Sequence, residues 1–233
     1  MSPSIRRAFD LTTSMAASVF RLGAGLYGGH GGPRPEQPLE LYDFEACPYC
    51  RRVREALTAL DLSALIYPCP KGGIYRQRVR DLGGREMFPF LVDPNQDVEL
   101  YESVDIVAHL YEHYGTGTPP VIGQSGLSMA SSSLASIARP TRGRNLVPGH
   151  QPENRLELYS FEASPYCRLV REVLCELELP YLLHNVGKRS PARPDFIDRS
   201  GKMMVPYLID PNTDTAMFES ADIIRYLRST YAE

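Results

Sequence analysis

The chain reads as an α/β protein built from two tandem units, each ordered β-α-β-α-β-β-α, and three observations predict this. Residues 39–114 overlay residues 156–231 without a gap at an offset of 117, with 35 of 76 positions identical. Within each copy, short runs of alternating apolar and polar residues give way to apolar residues spaced three and four apart, the marks of strand and helix in turn. The run Glu45-Ala-Cys-Pro-Tyr-Cys-Arg51 recurs as Glu162-Ala-Ser-Pro-Tyr-Cys-Arg168, with the thiol of Cys47 replaced by the hydroxyl of Ser164. The expected organisation is an extension over 1–36, a first unit over 37–115, a connector over 116–154 and a second unit over 155–233. Each unit is expected to form its own four-stranded sheet with three helices, the two packing about a pseudo-twofold axis.

The elements follow in order. Leu39-Glu-Leu-Tyr-Asp-Phe44 alternates as a half-buried strand does. Pro48 suits the first turn of a helix, and Val53, Leu57 and Leu60 carry its apolar stripe to about residue 61. Ala64 to Tyr67 is a second strand. Ile74 to Leu82 is a weaker helix, ended by Gly83-Gly84. Pro89 leads a third strand, Phe90-Leu-Val92. Asp93-Pro-Asn-Gln-Asp97 is a turn by composition, and Val98 to Tyr101 returns antiparallel. Ser103 is placed as the cap of a last helix bearing Ile106, Val107, Leu110 and Tyr114. The second copy reads the same way from Leu156 to Tyr231.

Outside the repeats, Ile5, Phe9, Ala16, Val19 and Phe20 lie at near-helical spacing, as do Leu127, Ala130, Leu134 and Ile137. The strings at 14–18 and 128–132 echo each other, which predicts a helix leading each repeat; a Ser/Ala-rich linker is the alternative. Gly28 to Pro38 and Pro140 to Gln151 are Gly/Pro-rich connectors.

A net charge of −3 gives no electrostatic argument for a nucleic-acid partner. No apolar stretch reaches the roughly 18 residues a membrane span needs. Five cysteines, an odd number, do not suggest a disulfide framework. With one C-x-x-C and no nearby histidine pair, no metal is expected. The expected compartment is the cytoplasm. A basic, Ser-rich N-terminus also reads as an organellar transit peptide, against which the internal echo argues.

Cys47 falls where unpaired helix N–H groups and the helix dipole favour an anion, and Arg51 and Arg52 are expected to add positive charge. Such a setting lowers a thiol pKa. Cys50, one turn further on, can attack a mixed disulfide on Cys47 and release its partner. Cys167, Cys69 and Cys175 read as inert packing residues. Ser103 at a helix start can offer its hydroxyl and N–H to a carboxylate, with Glu102 beside an amine; an ordinary N-cap is the local alternative.

The order of elements, with a thiol pair at the first strand–helix junction, is similar to that of the thioredoxin fold, and Cys47-Pro-Tyr-Cys50 resembles the dithiol glutaredoxins. That resemblance implies a cis-proline at Pro89, and at Pro206 in the second copy. The preceding Phe88 and Val205 would then present their main chains to an extended thiol peptide. With Glu102-Ser103 and Glu219-Ser220, the chain resembles the N-terminal domain of glutathione transferases over about 39–114 and 156–231. This implies glutathione as cosubstrate, bound in the first copy by Pro48, Tyr49, Phe88, Pro89, Glu102 and Ser103. Val205, Pro206, Glu219 and Ser220 would serve the second. Lys71 and Lys188 either meet the glycine carboxylate or are simply solvated. Ser164 resembles the catalytic serine of some transferases or marks a decayed redox site. The family's all-helical domain is too large for the 115–154 connector or the residues after Tyr231, which weighs against conjugation.

Three functions are therefore open. The leading one is a glutathione-dependent thiol–disulfide oxidoreductase with Cys47 as nucleophile, Cys50 as resolving thiol and Ser164 as the altered catalytic position. Its partners would be glutathione and glutathionylated or disulfide-bearing proteins. The others are a small glutathione transferase and a non-enzymatic scaffold for glutathione or an iron–sulfur cluster. The expected assembly is a pseudo-twofold monomer or a homodimer.

Overall fold

The structure, a computed structural model, describes residues 9–15, 25–29, 32–116 and 142–233. The expected helical stripe at 127–138, the echo at 128–132 and most of the stripe at 5–22 lie outside these residues. Residues 9–15 form a helical stretch, α1. The first unit then runs β1 (Leu39–Asp43), α2 (Pro48–Ala59), β2 (Ala64–Pro68), α3 (Tyr75–Gly83), β3 (Phe90–Asp93), β4 (Val98–Leu100) and α4 (Ser103–Tyr114). The second runs β5 (Leu156–Ser160), α5 (Pro165–Glu176), β6 (Tyr181–Asn185), α6 (Arg193–Ser200), β7 (Tyr207–Asp210), β8 (Thr215–Phe218) and α7 (Ser220–Tyr231). The chain is thus two tandem units of the thioredoxin-like βαβαββα type.

One expectation fails. The eight strands form a single sheet, ordered β4-β3-β1-β2-β6-β5-β7-β8, rather than two separate sheets. In each unit β2 or β6 would be an open edge with unpaired N–H and C=O groups, a ready template for pairing. The two edges satisfy each other antiparallel, pairing Ala64 with Leu183, Leu65 with Leu182 and Ile66 with Tyr181. Leu65 and Leu182 are repeat equivalents, so the expected pseudo-twofold axis passes through this pair. Strand alternation says which face of a strand is buried, not which edge meets which, so the sequence pattern was blind to the merger.

Leu39, Leu41, Leu57 and Ile66 share one continuous buried core with Leu158, Leu174 and Leu183 of the other copy. Helices α2, α4, α5 and α7 supply residues to that core. Val79 of α3 packs with Tyr42, Tyr67 and Phe90, and Phe196 of α6 packs with Tyr159 and Tyr207. Gly84, at φ 78, ends α3 in the left-handed conformation that glycine adopts without Cβ strain.

A second twofold feature crosses between copies. Gly25 and Gly143 both have positive φ, and a Cβ on either would come within 2.7 Å and 2.6 Å of Glu162 Cβ and Glu45 Cβ respectively. Just beyond, the Lys188 N–H donates to Leu26 O at 2.8 Å, and the Lys71 N–H to Arg144 O at 2.6 Å. Each leading segment therefore lies against the opposite copy.

Candidate functional site

Cys47 is the N-cap of α2, with Pro48 in its first turn. Its Sγ accepts a hydrogen bond from the Cys50 N–H at 3.2 Å. The side-chain hydrogen bond from Cys50 does most to lower the Cys47 thiol pKa. Burial opposes it, while the N–H groups of Cys50 and Tyr49 and the charge of Arg54 reinforce it, leaving the thiol below its ordinary value. Burial and the same contact with Cys47 push the Cys50 thiol well up. Burial likewise raises Cys69 and Cys175.

Arg51 was expected to supply charge to this thiol, but its Nε lies 3.6 Å from Glu162 of the second copy. The cation acting on Cys47 is Arg54, which the sequence reading passed over. Arg54 belongs to a buried network on the pseudo-twofold axis. Its Nε bonds Glu162 at 3.0 Å, and its guanidinium also meets Asp43 and Glu45. Reciprocally, Arg171 bonds Glu45 at 3.1 and 3.2 Å, Glu162 at 2.8 Å and Ser160 at 3.2 Å. Burial pushes the Glu162 carboxyl up, but Arg171, Arg54, Arg168 and Arg51 outweigh it and hold it at about 2. The available signal was an identical arginine in both copies, set among the apolar positions of a helix.

The peptide bonds Phe88–Pro89 and Val205–Pro206 are both cis, as the resemblance implied. The Phe88 ring meets Phe44, three residues before Cys47, edge-on at 6.0 Å between centroids. Ser103 does not cap α4. Glu102 is the N-cap, at φ 61 and ψ 116 and with no capping bond from its side chain, and Ser103 is the first helical residue. With β4 ending at Leu100, only Tyr101 and Glu102 remain to turn the chain, and Glu102 takes the left-handed geometry. Glu219 does the same at φ 68. A non-glycine residue held there in both copies is the kind of strain that gathers at ligand clamps. Ser103 and Ser220 are buried while Glu102 and Glu219 are exposed.

In the second copy Ser164 takes the seat of Cys47, its Oγ accepting from the Cys167 N–H at 3.3 Å. Here α1 reaches the site: the Ser14 hydroxyl donates to Pro165 O at 2.8 Å, and Arg168 donates to Ser14 O at 2.8 Å. Tyr49 and Tyr166 are both exposed beside their helix starts. Among the described residues no group of three or more His, Cys, Asp or Glu side chains could hold a metal ion, and no helix is long and apolar enough to cross a membrane.

With this geometry in place, the family is decided by a model described as "Glutathione S-transferase, N-terminal domain", which matches twice, at 41–120 and 158–233. The chain belongs to this family. Among curated relatives, the glutathione S-transferase-like protein tpcF of Aspergillus fumigatus is 36% identical over 59 residues, covering 25% of this chain and 26% of that protein. Protein URE2 of Meyerozyma guilliermondii is 30% identical over 138 residues, covering 53% of this chain and 45% of that one. The chain thus matches between about a quarter and a half of these relatives' lengths. Among solved structures, a Bombyx mori glutathione transferase gives a TM-score of 0.31 at 26% identity, covering 36% of this chain and 38% of that one. A trimeric glutathione transferase of Leishmania gives 0.30 at 14% identity, covering 84% and 68%.

Proposed function

We propose that this chain is a glutathione-dependent thiol–disulfide oxidoreductase working through its first copy. The observation that carries this reading is the setting of Cys47: a cysteine at a helix start, its sulfur accepting an N–H and its pKa lowered, beside a partner thiol. Cys47 thiolate attacks the glutathione sulfur of a mixed disulfide. The old S–S bond breaks, a Cys47–glutathione disulfide forms, and the partner leaves as a thiolate that takes a proton from water. A second glutathione thiolate then attacks the glutathione sulfur on Cys47, releasing glutathione disulfide and restoring the Cys47 thiolate. In net terms one free glutathione thiol is oxidised as the partner sulfur is reduced: the mixed disulfide and one glutathione become the partner thiol and glutathione disulfide.

Cys50 can resolve the same intermediate, but its sulfur is fully buried and its thiol pKa raised, which favours the route through a second glutathione. In this reading Pro48 and Tyr49 flank the sulfur, and the main chain at Phe88-Pro89 pairs with the glutathione backbone. Ser103 and Glu102 take its γ-glutamyl end, and a cation of the neighbouring loop and helix, such as Arg76, its glycine carboxylate. Val205, Pro206, Glu219 and Ser220 form the matching groove of the second copy.

A second reading attaches to Ser164. Its oxygen is used as the helix cap, so its proton is available to a bound glutathione thiolate, the chemistry of a transferase-like site.

The test is reduction of the mixed disulfide of glutathione and mercaptoethanol, coupled to NADPH oxidation by glutathione reductase. Wild type should turn over and Cys47→Ser should fall to the uncatalysed rate. Undiminished turnover by Cys47→Ser would refute the assignment.

A further inference from the structure

A cavity of about 540 Å³ opens beside the first site, lined by Phe44, Lys71, Arg76, Arg80, Glu86 and Arg144 among others. Its volume is in the range of small-ligand sites, about 300–1,000 Å³. Four cations face one carboxylate. Glu86 is engaged by Arg76 at 2.5 Å and by Arg80. Arg76 is further fixed by the carbonyls of Pro70 at 2.8 Å and Cys69 at 3.2 Å, and lies 4.9 Å from the Phe88 ring centroid. Lys71 and Arg144 are exposed and form no ion pair among the described residues. They are held side by side because the Lys71 N–H donates to Arg144 O and the Leu146 N–H to Lys71 O.

The second copy places its charge differently: Lys188 and Arg193 remain and Arg189 stands for Gly72, but Ile197 stands for Arg80, Met203 for Glu86, and Leu26 takes the main-chain place of Arg144. Only the first copy therefore sets an arginine from the leading segment, Arg144, beside its lysine. One cation would satisfy the glycine carboxylate of glutathione, which leaves positive charge for a second anionic group.

We propose that this cavity is a subsite for acidic side chains flanking the cysteine of a glutathionylated peptide. This proposal rests on the oxidoreductase reading of the first site. Carboxylates beside a cysteine raise its thiol pKa and make it a poorer leaving group. Lys71 and Arg144 beside those carboxylates offset the effect as the peptide thiolate departs, in the exchange step already written.

The experiment uses the full chain and three glutathionylated peptides differing only in the two residues flanking cysteine: Glu, Gln or Lys. The acidic peptide should show a kcat/KM about fivefold to tenfold above the neutral one, the size that two partly exposed ion pairs bring. Arg144→Gln, Lys71→Gln and added salt should each shrink that ratio. Equal rates for all three peptides in wild type would overturn the subsite. If no peptide is turned over, the oxidoreductase reading fails, and fluorescence anisotropy with the serine versions of the peptides decides the subsite. Tighter acidic binding that Arg144→Gln abolishes upholds it; no acidic preference removes it.

Discussion

The two helix starts differ by one atom in their caps and by everything in their chemistry. Cys47 Sγ accepts the Cys50 N–H at 3.2 Å, and Ser164 Oγ accepts the Cys167 N–H at 3.3 Å. The fold needs only an acceptor there, because the first N–H groups of a helix have no partner within it. Sulfur and oxygen serve equally, so packing holds both copies together while permitting their functions to part. Around the caps the parting continues. The first copy has a cation-lined cavity beside Phe44, while Ser14 of α1 is bonded to the helix start of the second.

The largest effect should come from exchanging the two cap residues. Ser164→Cys in a Cys47→Ser background should restore mixed-disulfide turnover from nothing, since the backbone that lowers a thiol pKa is already present at 164. The restored activity should remain below wild type, because α1 contacts this helix start through Ser14. No activity from a folded double variant would show that the second groove has lost more than its sulfur.

A smaller effect separates the two arginines on the axis. Removing either leaves buried carboxylates uncompensated, which typically costs about 3–5 kcal/mol. The two losses should differ, because Arg54 also holds the carboxylate of Asp43 whereas Arg171 holds the neutral hydroxyl of Ser160. Arg54→Ala should therefore lower the denaturation midpoint more than Arg171→Ala. The double variant should lose less than the sum, because both arginines share Glu45 and Glu162. Equal and additive losses would show that the network is not a coupled unit.

How much of this was legible follows from where each signal resides. The strand and helix order and the duplicated unit were written in local pattern and repeated motif, the cis-prolines were implied by the family resemblance, and the structure reproduces all three. The merged sheet was not, because it depends on how two open edges meet. The axis network was half visible. Arg54 and Arg171 match across copies, but a buried arginine within an apolar stripe reads as a solvated face until its partners, 108 to 126 residues distant in sequence, are brought to it. Arg51, nearest the thiol in sequence, was assigned the role that Arg54 performs. At Glu102 the positive φ was hidden because nothing in a Glu-Ser pair distinguishes a strained turn from an ordinary cap. The roles given to Glu102, Ser103 and their second-copy equivalents rest on the proposed glutathione reading.

The smallest effect is a shift in the titration of Cys47, and it tests what the second thiol of the motif contributes. The side-chain hydrogen bond from Cys50 is the largest influence lowering the Cys47 pKa, ahead of the helix N–H groups and Arg54. A lowered thiol pKa means that the thiolate persists to lower pH. The rate of alkylation by iodoacetamide should then rise through a midpoint below the ordinary value of about 8.5. A small reagent is needed because Cys47 is only 3% exposed. Cys50→Ala removes the donor and should move that midpoint upward, whereas Cys50→Ser keeps a hydroxyl in its place and should move it less. In both variants the Cys47 N-cap and the N–H at position 50 survive, so any shift reports the side chain alone. If Cys50→Ala left the midpoint unchanged, the backbone and Arg54 would be sufficient to hold the thiolate. The contribution of Cys50 would then be confined to resolving disulfides, and the thiol introduced by Ser164→Cys would not depend on Cys167 to become reactive.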